Sequence, residues 1–149
     1  MVGLFKLMNK RSILVNILCI FFLITIIYAK ESYVMTSKNK KMDIPIAIQN
    51  FVDATNEGDS KKFVNTFTND SYIRDWFSTY KGYEGVSSWN RSDNIGKNTS
   101  FDILAIKDTE VKNEYILKVK VSGDGYNGVS DISFTIRDSL IWKMIISPW

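Results

Sequence analysis

From residue 43 onward the apolar positions change their spacing once, and that change divides the chain into helices followed by strands. Ile44, Ala47, Ile48, Phe51 and Thr55 recur at helical intervals, which predicts a first helix begun by Asp43 as N-cap and ended by Gly58. Asp59 is placed to cap a second helix carrying Phe63, Val64 and Phe67, and Asn69-Asp70 to turn the chain into a strand over 71–77. Gly82 precedes a short third helix running through Val86 and Trp89. Beyond it the pattern alternates: Phe101, Ile103, Ala105; Tyr115, Leu117, Val119, Val121; Ile132, Phe134, Ile136; Leu140, Trp142, Met144, Ile146. The run Gly123-Asp124-Gly125-Tyr126-Asn127-Gly128 reads as a glycine-rich hairpin. Helices first and an antiparallel sheet afterwards define an α+β domain over 43–149.

Ahead of this domain the pattern is uniform. Ser12 to Ala29 contains no charge and is flanked by Arg11 and Lys30. Eighteen helical residues reach roughly 27 Å, close to the thickness of a bilayer core. Residues 1–29 therefore read as a single transmembrane anchor or a signal peptide, cut near Ala29 in the second case. The short basic N-terminus with Lys6, Lys10 and Arg11 has the form of an export signal, which places the domain on the non-cytoplasmic side of the cell membrane or, after cleavage, outside the cell. Residues 30–42, with Lys30, Lys38, Lys40 and Lys41, form a basic tether.

This tether and the N-terminus hold the chain's surplus of positive charge. From Asp43 onward there are 12 basic and 15 acidic residues, so the domain itself is acidic and nucleic acid is set aside as a partner. The chain has no histidine, which excludes histidine relays and histidine-ligated metals. Cys19 is its only cysteine, so no intrachain disulfide forms. Any chemistry falls to carboxylates, tyrosines, lysines, arginines or the backbone.

The order Asn56-Glu57-Gly58-Asp59, Phe67 with Asp70, Asp75-Trp76, Gly82, Trp89 and four closing strands resembles the nuclear transport factor 2-like superfamily, the SnoaL-like and ketosteroid-isomerase-like cone fold. The resemblance implies a curved antiparallel sheet with about three N-terminal helices around one apolar pocket, preceded here by the N-terminal apolar helix. It implies no cofactor, and it places Asp75 where ketosteroid isomerases carry their general-base aspartate. An aspartate in an apolar pocket has a raised pKa, suited to proton transfer. The oxyanion partners of those enzymes are missing: Phe51 stands at the tyrosine position, and Ile132 near the acidic one, with Asp131 directed to the opposite face.

Phe51, Tyr72, Trp76, Trp89, Arg91 and Tyr126 are the candidate pocket residues, with Tyr83 a further aromatic near them. Alternation along the strand sets Ile73, Asp75 and Phe77 on one face and Tyr72, Arg74 and Trp76 on the other. Asp124 alone makes no calcium site, and the Asn-x-Ser/Thr triplets at Asn69, Asn90 and Asn98 carry no weight in a chain this rich in Asn, Ser and Thr. Three functions follow as expectations: a membrane-tethered or secreted module binding a small apolar ligand or a partner; a cofactor-independent isomerase, lyase or cyclase using Asp75 as base; or a structural dimerisation module, a homodimer built on the sheet face.

Overall fold

A computed structural model describes residues 18–27 and 42–147 of the chain, which divides into two compact units, Met1–Lys41 and Met42–Trp149. In the first unit, residues 18–27 are helical (α1). Among the described residues no helix is long and apolar enough to cross a membrane. The rest of the expected span, 12–17 and 28–29, lies outside the described residues, as does the tether up to Lys41.

The second unit opens with α2 (Ile46–Asn56), whose buried residues include Ala47, Ile48, Phe51 and Thr55, as the helical spacing requires. Its N-cap is Pro45 rather than Asp43. The Pro45 carbonyl accepts from the amides of Ile48 and Gln49 at 2.9 and 3.0 Å, and no side chain caps the helix. At the other end Gly58 takes a φ of 69°, and the amides of Gly58 and Asp59 return to the carbonyls of Thr55 and Ala54. That is a Schellman stop, which satisfies the last free carbonyls of the helix. Asp59 then caps α3 (Ser60–Asn65) through a 2.9 Å bond from the Lys62 amide.

Phe67, expected on that second helix, instead begins β1 (Phe67–Asp75), where it pairs with Ile141. Asn69 and Asp70 lie inside this strand, and the turn read there is a register shift between Phe67 and Tyr72. The strand also stops two residues early. Trp76, with a φ of 51°, and Phe77 form a tight turn into β2 (Ser78–Lys81), which pairs back on β1. Phe77 is consequently 92% exposed and does not share the face of Asp75. Next come α4 (Gly82–Asp93), a 3₁₀ turn (Ile95–Lys97), β3 (Ser100–Asp108), β4 (Glu114–Ser122), β5 (Gly128–Arg137) and β6 (Leu140–Ile146). Gly82 is required at its position: its φ is 62°, and an added Cβ would stand 3.0 Å from the Asn69 carbonyl.

The six strands form one sheet in the order β2-β1-β6-β5-β4-β3. It is mixed rather than wholly antiparallel, because the last strand returns to the middle of the sheet and runs parallel to β1. Two bulges also correct the strict alternation. Ile103 and Ala105 flank a register shift in β3, which leaves Ala105 exposed and packs Ile106 against the core. A shift at Trp142 sends Ile141 inward in place of Leu140 and Trp142, while Met144 is buried as the alternation expected. Trp142 sits instead beneath the Arg137 guanidinium, 5.4 Å from its ring centre, and Arg137 in turn pairs with Asp70. That hydrogen bond holds the Asp70 carboxyl below its ordinary range.

The core is organised around one ring. Phe51 lies within 5.2 to 6.1 Å of the ring centres of Phe63, Phe67, Phe101 and Phe134, which joins α2 to α3 and to strands on both halves of the sheet. Phe51→Ala is therefore expected to cost about 3–5 kcal/mol of unfolding free energy, read as a lower urea midpoint at unchanged slope. A loss below about 1 kcal/mol would show that the ring is not the hub of the core.

Candidate functional site: a carboxylate-bearing aromatic cavity

Between α4 and the sheet the domain forms a half-open cavity of about 420 Å³. Asp75 and Trp76 enter it from the end of β1, Ser78 and Tyr80 from β2, and Trp89 and Asp93 from α4. Thr99 and Phe101 contribute from the start of β3, Val121 from β4, and Tyr126 from the glycine-rich hairpin. Ser130 and Ile132 complete it from β5, and Ile146 and Ser147 from the end of β6. Among the described residues no lysine or arginine lines it.

Asp75 is the polar centre. It is half-buried, and the Trp89 indole N–H donates to its Oδ2 at 2.8 Å. Trp89 is itself fixed, 2% exposed and stacked on Phe63 with ring centres 5.9 Å apart, so a core aromatic orients the carboxylate. Burial pushes the Asp75 carboxyl up from its ordinary 3.8; the indole hydrogen bond opposes the rise, and the nearby charge of Asp93 adds to it. Asp93 stands one helical turn after Trp89, on the same side of α4. Its Oδ2 accepts from the Ser92 hydroxyl at 2.5 Å and, at 3.5 Å, faces the Tyr80 hydroxyl. Two carboxylates, two phenols and several aliphatic hydroxyls thus share one cavity with the rings of Trp76, Trp89 and Phe101.

The structure brings together four of the expected site residues, Asp75, Trp76, Trp89 and Tyr126. The left-handed turn at Trp76 carries its side chain round to the cavity although strict alternation put it on the other face. Tyr126 donates its hydroxyl to the Val129 carbonyl at 3.0 Å, and the Asn127 side chain ties the hairpin at Gly123 and Gly125.

The other three do not join them. Phe51 is wholly buried in the core beside Phe101, one layer behind the cavity wall. Tyr72 alternates with Ile73 and Asp75, so it faces the outer side of the sheet near Lys81 and Trp142. Arg91 follows Trp89 by two residues, about 200° around the helix, and is exposed. Tyr83 is exposed near the start of the same helix.

Among the residues the sequence reading missed, Asp93 was accessible through its four-residue spacing from Trp89. Tyr80 was not, because Ser-Thr-Tyr-Lys carries no apolar alternation to mark β2. Asp131 behaves as expected: it pairs with Lys118 at 2.8 Å on the outer face, while Ile132 lines the cavity. Among the described residues no group of three or more His, Cys, Asp or Glu side chains is placed to hold a metal.

No family profile matches the chain, and no curated protein does. Solved structures do. A protein of Sinorhizobium meliloti provisionally assigned as a polyketide cyclase superposes with a TM-score of 0.62 at 23% identity, covering 70% of this chain and 96% of the other. Δ5-3-ketosteroid isomerase from a Mycobacterium species does so with 0.60 at 13% identity, over 70% and 90%. A computationally designed binder of 17-OHP gives 0.59 at 14% identity, over 70% and 88%. The domain therefore has the NTF2-like cone fold.

The ionisation of Asp75 has a measurable consequence. Because its folded pKa lies above the unfolded value, the native state binds the extra proton, and stability falls as pH rises through the interval between the two. The full cost is present above the folded pKa and absent below the unfolded one. Asp75→Asn removes the charge and keeps an oxygen for the indole N–H. The variant should melt higher than wild type at about pH 7, with the gap closing below the ordinary aspartate pKa. A gap of equal size at both ends of that range would rule out ionisation of Asp75 as its source.

Proposed function

We propose that the folded domain binds a small molecule with a largely apolar body, seated in the cavity with its polar end at Asp75. The observation that carries this reading is the half-buried Asp75 carboxylate, held by Trp89 at the wall of an aromatic chamber of about 420 Å³. That volume lies within the usual range for small-molecule sites. A carboxylate kept there at a cost to stability is better explained by a ligand than by the fold. The designed 17-OHP binder and the isomerase give the reading its precedent in this fold.

A second reading is favoured by Tyr80 and Asp93. They place hydrogen-bonding groups in the chamber with Asp75, so Asp75 acting as general base in a cofactor-independent isomerase, lyase or cyclase has groups beside it that the sequence did not show. The two readings separate in one screen of wild type and Asp75→Asn against enolisable ketones, epoxides and hydroxy compounds. The binding reading expects saturable quenching of tryptophan fluorescence without turnover. Turnover that falls by about a hundredfold or more in Asp75→Asn would establish the enzyme instead.

The proposal includes the address. Residues 12–29 anchor or export the chain, and the domain lies on the non-cytoplasmic side; the charge-free run between Arg11 and Lys30 supports this. Residues 43–149 expressed alone should then be soluble and melt cooperatively, while the full chain stays with membranes after alkaline carbonate washing. Release of an uncleaved full chain by that wash would refute the anchor, and an unfolded 43–149 would refute the boundary.

A further inference from the structure

We propose that the ligand of this cavity is a cation, an aliphatic or quaternary amine on a compact apolar body; this rests on the small-molecule reading above and names its ligand class. The site is the cavity, and its wall chemistry decides what it accepts. Asp75 stands half-buried in the wall and Asp93 is exposed to solvent, and among the described residues no lysine or arginine lines the chamber with them. Among the described residues neither carboxylate takes part in an ion pair. Asp75 receives one hydrogen bond, from Trp89 to Oδ2, which leaves Oδ1 for a ligand.

The alternatives fail on electrostatics. An anion would meet two uncompensated negative charges. A neutral apolar ligand would displace the water that solvates Asp75 and Asp93 and supply nothing in return, so filling the cavity would deepen the desolvation that already burdens Asp75. A cation reverses both terms: it relieves the repulsion between the carboxylates and replaces their lost solvent with an opposite charge. Trp76, Tyr80 and Tyr126 supply ring surface for the same charge, the combination by which quaternary ammonium groups are recognised. The apolar remainder of the ligand then meets Phe101, Ile132 and Ile146.

The test uses the full chain in phosphatidylcholine nanodiscs, with empty discs as blank and tryptophan quenching as readout. The probes are phenethyltrimethylammonium, its neutral carbon isostere (3,3-dimethylbutyl)benzene, and the anion 3-phenylpropanoate. The cation should bind at least about tenfold tighter than the isostere, and the anion should not bind. Asp75→Asn should erase most of that preference while leaving the isostere's affinity equal or improved. Asp93→Asn, at an exposed position that carries little folding risk, should reduce it in the same direction. If the isostere or the anion binds as tightly as the cation, the cation proposal fails and the small-molecule reading stands. A cation preference unchanged in both variants also overturns it, because the charge is then read elsewhere. If none of the three binds to chain shown folded by near-ultraviolet circular dichroism, the cation proposal and the small-molecule reading fall together.

Discussion

One aromatic cluster decides both where this domain is solid and where it is hollow. Phe51 touches Phe63, Phe67, Phe101 and Phe134, and the cluster packs one end of the space between helices and sheet. Two residues at its boundary have a double role. Phe101 stacks on Phe51 and lines the cavity, and Trp89 stacks on Phe63 and holds Asp75. The floor of the site is therefore the surface of the core, and the position of the Asp75 carboxylate is inherited from ring packing rather than from a flexible loop. Close-packed interiors transmit such constraints because their side chains have little room to yield.

The electrostatics of the cavity are arranged against stability. A half-buried carboxylate with one neutral hydrogen bond and a second carboxylate nearby is a cost to the folded state at neutral pH. Elsewhere a few carboxylates are paired: Asp70 with Arg137, Asp131 with Lys118, Glu57 with Lys62. These pairs are exposed and individually contribute little. The contrast is one of location more than of energy: those pairs sit on the surface, whereas the Asp75 carboxylate enters the cavity with no cation paired to it among the described residues.

The backbone devices around the site are equally specific. The left-handed residue Trp76 closes the two-residue turn between β1 and β2 and brings its own ring to the chamber. Gly82 lets α4 start against the Asn69 carbonyl, which sets the helix that carries Trp89 and Asp93. The central return of β6 beside β1 brings Ile146 and Ser147 to the same opening. Residues from the end of β1 and the end of β6 thus meet at one carboxylate.

Much of this was written in local pattern. Helical spacing marked Phe51 and Trp89 as inward, and Gly58 and Asp59 ended one helix and began the next as read. Alternation in β4 and β5 gave the core positions Leu117, Val119, Ile132 and Phe134, and the order of motifs pointed to the cone fold and to Asp75. These features are local because they depend on capping chemistry and on periods of two and 3.6 residues. Tertiary structure decided the rest. The parallel pairing of β6 with β1 and the bulges at Leu104 and Trp142 come from long-range register, and the left-handed turn at Trp76 from how β2 folds back on β1; no single segment encodes them. Phe51 became core and not pocket because five aromatic rings converge on one volume. Asp93 and Tyr80 became cavity residues because a helix and a short edge strand, separated in their own patterns, close over the same carboxylate.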